Sequence, residues 1–479
     1  MIGRILLTLA ALAFSGFVFL VLIGLWGRYE QETEAPQAGF FSDQHARAAA
    51  AAEREVGQMQ LAPQQGPKLV GTGAVGSTNQ GMSVALSADG NTAIMGGPGP
   101  NNADRDRSPF VGPVGAAWVF TRSGGIWTQQ GNKLVGTTKE YGGGLWSQGA
   151  SVALSGDGNT AIVGGPSDNR TTGAAWVFTR SSGGWTQQGN KLVGTGASAS
   201  EPPLPLGQGM SVALSADGNT AIVGGWRAEA AWVFTRSGGV WTQQGKKLVG
   251  AGAVGSARQG MSVALSADGN TAIVGGWSDN SKTGAAWVFT RKGGVWIQQG
   301  NKLVGVGAVG GARQGMSVAL SADGNTAIVG GPGDNPWDQS VPFGLGAAGA
   351  AWVFTRSGGV WTQQGNKLVG VGAVGSARQG MSVALSADGN TAVVGGWSDN
   401  SRAGTAWVFS RSGGVWTQQG NKLIEGSAAP SVALSADGSI VMVGGSNYNW
   451  GAGAAWVFTR SEGRLDYQGP PTPSTSRND

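Results

Sequence analysis

The string "SVALS" begins at Ser83, Ser151, Ser211, Ser262, Ser317, Ser382 and Ser431. Interleaved with it, "AWVF" places a tryptophan at Trp118, Trp176, Trp232, Trp287, Trp352, Trp407 and Trp456. Seven copies of both markers, in units of roughly 50 to 70 residues, constrain the fold more than any other feature of the chain. The fifth unit shows the pattern most plainly, as "SVALS", "TAIVGG", "AAWVFTR" and "VWTQQGNKLVG". All four segments are short, rich in Val, Ile, Trp and Phe, and bounded by Gly, Asp and Asn, which is how strands read. The Asp-Gly pair between the first two segments and "RSGGV" between the last two are hairpin signals. Four antiparallel strands repeated seven times predict an all-β chain, a seven-bladed β-propeller of four-stranded antiparallel blades. The 88 glycines then fall at fixed turn positions and form no flexible tract.

A propeller must close its ring, and the ends of the repeat region say how. The seventh unit ends in "LDYQGPP" (465–471), which lacks the "KLV" part of a fourth strand. Ahead of the first unit stands "QQGPKLVG" (64–71), half of a fourth strand with no unit of its own. The expectation is that it pairs onto the blade that holds Trp456. The propeller so delimited spans 64–469, followed by a disordered tail at 470–479.

Residues 5–26 carry no charge, and 22 such predominantly apolar residues suffice for a transmembrane helix. Arg4 precedes the stretch, and Arg28, then Glu30, Glu32 and Glu34, follow it closely. The positive-inside bias therefore expects residues 1–28 to be an uncleaved single-pass signal-anchor, with the propeller on the extracytoplasmic side, periplasmic or cell-surface. Residues 29–63 read as a linker holding a short Ala-rich helix at 43–58.

Composition excludes several chemistries. There is no cysteine, and the one histidine, His45, lies outside the repeats, so the repeats hold no thiolate site, no Ser-His-Asp triad and no histidine metal cluster. The net charge of +5 is spread over the units with no basic run, which argues against nucleic acid as a partner.

The repeat resembles the FG-GAP family, the propeller repeat of integrin α chains and of many bacterial surface proteins. Its Gly-Ala-Pro element is matched by Gly96-Gly97-Pro98, Gly164-Gly165-Pro166 and Gly330-Gly331-Pro332. Its Phe-Gly element stands here as Gln-Gly, at Gln80, Gln148, Gln208, Gln259, Gln314 and Gln379 with the glycine that follows each. The resemblance implies calcium loops between the first two strands. Here "SADGN" supplies one carboxylate per turn, at Asp89, Asp157, Asp217, Asp268, Asp323, Asp388 and Asp437, whereas a hard cation needs six or more oxygens. The expectation is therefore turns and no cofactor. Calcium at Asp168, Asp279, Asp334 and Asp399, in the "SDN" and "GDN" loops, is the weaker alternative.

Propeller geometry sorts the loops by face. The "SADGN" and "TRSGG" turns are nearly invariant and share one face, where each blade offers an Asp and an Arg that could alternate as ion pairs. Loops between strands two and three, and between blades, vary in length and composition and share the other face. That face also gathers Trp146, Trp226, Trp277, Trp337, Trp397 and Trp450. Loops on a rigid scaffold carry specificity, so these tryptophans are the candidate binding residues. The function expected is a non-catalytic protein-interaction or adhesion module using the variable face, and not an enzyme. The alternative is a lectin-like carbohydrate-binding propeller, with a propeller hydrolase or a purely structural repeat behind it. The expected partners are the membrane, through the N-terminal helix, and a protein or glycan.

Overall fold

In a computed structural model of the chain, two compact units separate at Gln60/Leu61. The residues described are 68–99, 115–137, 147–169, 172–196, 206–335, 347–399, 403–425, 430–461 and 464–467, all within the second unit. The expected anchor, linker and tail lie outside them. Among the described residues no helix is long and apolar enough to cross a membrane.

Each repeat folds into one antiparallel sheet, and seven sheets result, at 83–129, 151–187, 208–243, 262–298, 317–363, 379–418 and 430–467. The four main strands follow chain order in every blade, and the sixth sheet adds a fifth strand, Leu423–Glu425, against its third. The third blade is representative, with strands Gln208–Leu214, Thr220–Gly225, Ala230–Ser237 and Val240–Gln243. Its second strand is buried on both faces, as is the first half of the third. Apolar residues therefore run consecutively there and do not alternate. The fourth strand alternates, with Trp241 and Gln243 turned inward and Val240 and Thr242 outward.

The core is a set of inter-blade layers. The indole of Trp287 packs with Ala231 and Val233 of the preceding blade and with Val263, Val274 and Phe289 of its own. Its Nε1 donates to the carbonyl of Ala251 at 2.8 Å, so the buried ring leaves no polar atom unpaired. Gly250, one residue earlier, makes the approach feasible, since a Cβ there would stand 2.1 Å from Trp287 Cδ1.

Two polar devices join the blades. At one end, each Gln of the Gln-Gly pairs lies buried against the backbone of a preceding glycine. Gly250 N–H donates to Gln259 Oε1 at 2.6 Å, and Gln259 Nε2 donates to Gly250 O at 2.9 Å. The same pairing recurs from Gln80–Gly71 to Gln379–Gly370. At the other end, Gln244 Oε1 accepts from Arg291 Nη1 at 2.9 Å and from Trp296 Nε1 at 3.0 Å of the next blade. Five successive blade pairs carry this clasp, and among the described residues no Asp–Arg ion pair forms on this face. Arg291 Nε instead donates to Asn270 Oδ1 at 2.9 Å.

The seven first strands surround the axis, and a closed chain of backbone hydrogen bonds links the turns at their ends. Ala88 N–H donates to Gly156 O, and so on through Ala216, Ala267, Ala322, Ala387 and Ala436 back to Ala88, at 2.8–2.9 Å. The seam between last and first blades is also closed by Leu69. Its N–H donates to Ala455 O at 2.7 Å and its carbonyl accepts from Ala455 N–H at 3.0 Å. Leu134, Leu192, Leu248, Leu303 and Leu368 make the same bridge to their own blades. The leftover half-strand thus completes the seventh blade.

Candidate functional site

The repeated "SADGN" line forms a closed side-chain network on the invariant face. Asp323 Oδ1 accepts from the Ser321 hydroxyl at 2.6 Å and from Asn325 N–H at 2.9 Å, and Oδ2 accepts from Asn325 Nδ2 at 2.9 Å. Partial burial opposes ionisation of Asp323, yet these donors outweigh it and hold the carboxyl below its ordinary value of 3.8. The other six turn aspartates are lowered in the same way. Every oxygen is engaged, so the line is a turn-locking device.

On the variable face the four loop aspartates are buried and each meets a lysine. The pairs are Lys191–Asp168 at 2.6 Å, Lys302–Asp279 at 2.5 Å, Lys367–Asp334 at 2.6 Å and Lys422–Asp399 at 2.5 Å. In three of them the second carboxylate oxygen accepts a backbone N–H, from Val254, Val309 or Val374. The aspartates pin the loop between strands two and three to the inter-blade turn. Among the described residues no group of three or more His, Cys, Asp and Glu gathers as a metal would require.

The candidate tryptophans divide three ways. Trp146 and Trp337 lie outside the described residues. Trp450 is 95% exposed. Trp226, Trp277 and Trp397 are half-buried, and each has an arginine near its ring. Arg227 and Arg258 lie 4.7 and 5.1 Å from the Trp226 centroid, Arg313 5.5 Å from Trp277 and Arg378 5.1 Å from Trp397. Arg258, Arg313 and Arg378 occupy one repeat position, just before the buried Gln, with φ of 59°, 59° and 48°. The face thus carries an arc of guanidinium groups, the chemistry that binds carboxylate and phosphate.

Glu229 stands beside this arc. Its φ is +50°, at the position where other blades have Gly173, Gly284, Gly349 and Gly453 with φ of 74–77°. A glutamate held in a glycine conformation is strained, and such strain concentrates at functional sites. One carboxylate oxygen accepts from the Ser256 hydroxyl and the other from Ala257 N–H, the residue before Arg258. Among the described residues no lysine pairs with it, in contrast to the four aspartates. Sequence reasoning passed over both Glu229 and the arginines. The available signal was a glutamate in a glycine slot of the repeat, "RAEAAW" against "KTGAAW".

No family model matches the sequence, and no curated protein matches it. The fold is similar to that of several solved structures. One, from Bacteroides uniformis, is named for a proposed 6-phosphogluconolactonase activity; it is 12% identical, with 75% of this chain and 89% of that one covered and a TM-score of 0.50. A protein of Lactobacillus plantarum is 15% identical over 79% of this chain and 94% of its own, with a TM-score of 0.51. The periplasmic gluconolactonase of Pseudomonas aeruginosa is 17% identical over 74% and 92%, with a TM-score of 0.49. At these identities the likeness to the Bacteroides uniformis and Lactobacillus plantarum structures shows the propeller fold.

Two expectations change. The FG-GAP resemblance finds no support in a family match, and the packing explains its motifs otherwise: Gly96 leaves room for the Gly149 carbonyl, and the Gln of Gln-Gly pairs with backbone. The reading as a non-catalytic adhesion module, and not an enzyme, is corrected by a propeller of similar fold that bears a lactonase name. Its premise fails on chemical grounds as well. Opening a lactone needs a placed water, a base and a cation for the oxyanion, and no histidine triad.

Proposed function

We infer that the chain is a propeller hydrolase that opens a small anionic sugar lactone or comparable ester on its variable face. The observation that carries this reading is Glu229, held left-handed beside Arg258 where the repeat has glycine. The name of the Bacteroides uniformis propeller supports the choice of reaction. In this reading the Arg258, Arg313 and Arg378 guanidiniums hold the substrate's phosphate or carboxylate. Glu229 takes a proton from a water that attacks the lactone carbonyl carbon. The carbonyl oxygen becomes an oxyanion stabilised by a neighbouring guanidinium, the ring C–O bond breaks, and the proton passes to the departing alkoxide to give the open hydroxy acid. No cofactor enters. Residues 5–26 anchor the chain in a membrane, and the propeller works outside the cytoplasm.

The test is hydrolysis of 6-phosphogluconolactone and of glucono-δ-lactone by the purified full chain, followed by base uptake at constant pH. Glu229→Gln should lower kcat about 100-fold or more, the range expected for losing a general base. Glu229→Gly restores the repeat residue and controls for folding. If the wild-type chain opens neither lactone faster than buffer does, the reading is wrong.

A further inference from the structure

Away from both faces, the outer rim of the propeller has grooves between successive blades, and two are cavities of about 490 and 370 Å³. The first is lined by Asn132, Leu134, Thr137, Phe178, Trp185 and Gln187, the second by the repeat-equivalent Asn190, Leu192, Thr195, Phe234, Trp241 and Gln243. Leu134, Phe178, Leu192 and Phe234 are buried, so the floor of each groove is apolar. A half-buried indole borders it. Trp185 is fixed by its Nε1 bond to Gln130 at 3.1 Å and by Arg180, 5.6 Å from its centroid. Trp241 is fixed likewise by Gln188 and Arg236.

Polar groups stand at the rim. Among the described residues, the side-chain amides of Asn132 and Asn190 have no hydrogen-bond partner, and each offers two donors and an acceptor. Thr137 and Thr195 add hydroxyls, each held by the glutamine of the next blade at 3.1 and 3.2 Å. The difference in volume has a sequence cause. Gly184 stands in the first groove where the second has Val240, because "SSGGWTQ" departs from "RSGGVWTQ".

Lys133 and Lys191 also line the grooves, and both ammoniums are engaged, the first by the Gly73 carbonyl at 2.8 Å and the second by Asp168 at 2.6 Å. A preoriented indole over an apolar floor, with free amides at the edge, matches the alternating C–H faces and hydroxyls of a pyranose ring. We propose that these two grooves are accessory saccharide-binding subsites for neutral glycan chains. They differ in place and residues from the variable-face tryptophans and stand independently of the hydrolase reading.

The full chain, labelled with 5-fluorotryptophan, is titrated with chitohexaose and with cellohexaose, and the Trp185 and Trp241 resonances are assigned from Trp185→Phe and Trp241→Phe. Both resonances should shift saturably with at least one of the sugars. Gly184→Val is the discriminating variant. It installs the residue found at the second groove, and a Cβ there meets nothing nearer than the Ser181 carbonyl at 3.7 Å, so the fold tolerates it. The first groove, with its extra room, is the stronger site, so the variant should weaken the Trp185 response about tenfold, to the level of the Trp241 response, and leave Trp241 unchanged. If neither resonance moves at millimolar sugar, or if Gly184→Val leaves the Trp185 response as it was, the proposal fails.

Discussion

Asp323 and Glu229 show how differently one carboxylate can serve this chain. The turn aspartate is saturated by a serine hydroxyl and by both hydrogen-bond donors of Asn325. Its lowered pKa makes it a source of pH dependence. A group depressed in the folded state contributes stability above its unfolded value, and the contribution is lost as pH falls through the folded value. Seven such aspartates act together, so the melting temperature should hold steady near neutrality and fall on acidification below the ordinary value of 3.8. Asp323→Asn should make that decline shallower by one proton's share, read from melts across acidic pH; superimposable curves would refute the linkage. At this scale the sequence was half legible. "SADGN" announces a turn because Asp-Gly has few other uses. Glu229 was obscured because one changed glycine weighs little in a repeat, until its φ is known.

At the scale of the strand, the repeat sequence is legible because every blade meets the same neighbours. "TAIVGG" reads as a fully buried strand, and its two terminal glycines are explained by what lies across from them. A Cβ on Gly330 would sit 2.1 Å from the Gly380 carbonyl, and one on Gly331 2.7 Å from the Trp352 ring. The Gly of "KLVG" is the sharper case. Gly250→Ala should drive Trp287 out of its rotamer at a cost of about 1–3 kcal/mol, the range for overpacked cores. Urea unfolding would read this as a lower midpoint at unchanged slope, and an unaltered midpoint would contradict the packing. The Gln–Arg–Trp clasp was not legible. Its members belong to different blades, and "TQQG" gives no sign that its second Gln serves the next blade's Arg and Trp.

For the whole molecule, the incomplete ends of the repeat predicted closure, and the Leu69–Ala455 bridge provides it. Leu69→Pro removes the donor to Ala455 and strands a buried carbonyl, at about 1–3 kcal/mol. A clear drop in melting temperature is expected, and an unchanged melt would show that the ring closes without it. The hydrogen-bonded belt from Ala88 to Ala436 sets access to the axis. Seven backbones at a strand spacing of ~4.8 Å lie roughly 5–6 Å from the axis.

The closing half-strand also imposes a timetable. Leu69 is among the first propeller residues to be synthesised, and its partner Ala455 among the last. At ~5–20 residues per second, translation keeps the two apart for on the order of tens of seconds. Until then the first blade exposes an open flank able to pair with the late blade of another chain. A nascent propeller of this kind has reason to be held by a chaperone until its own seventh blade arrives.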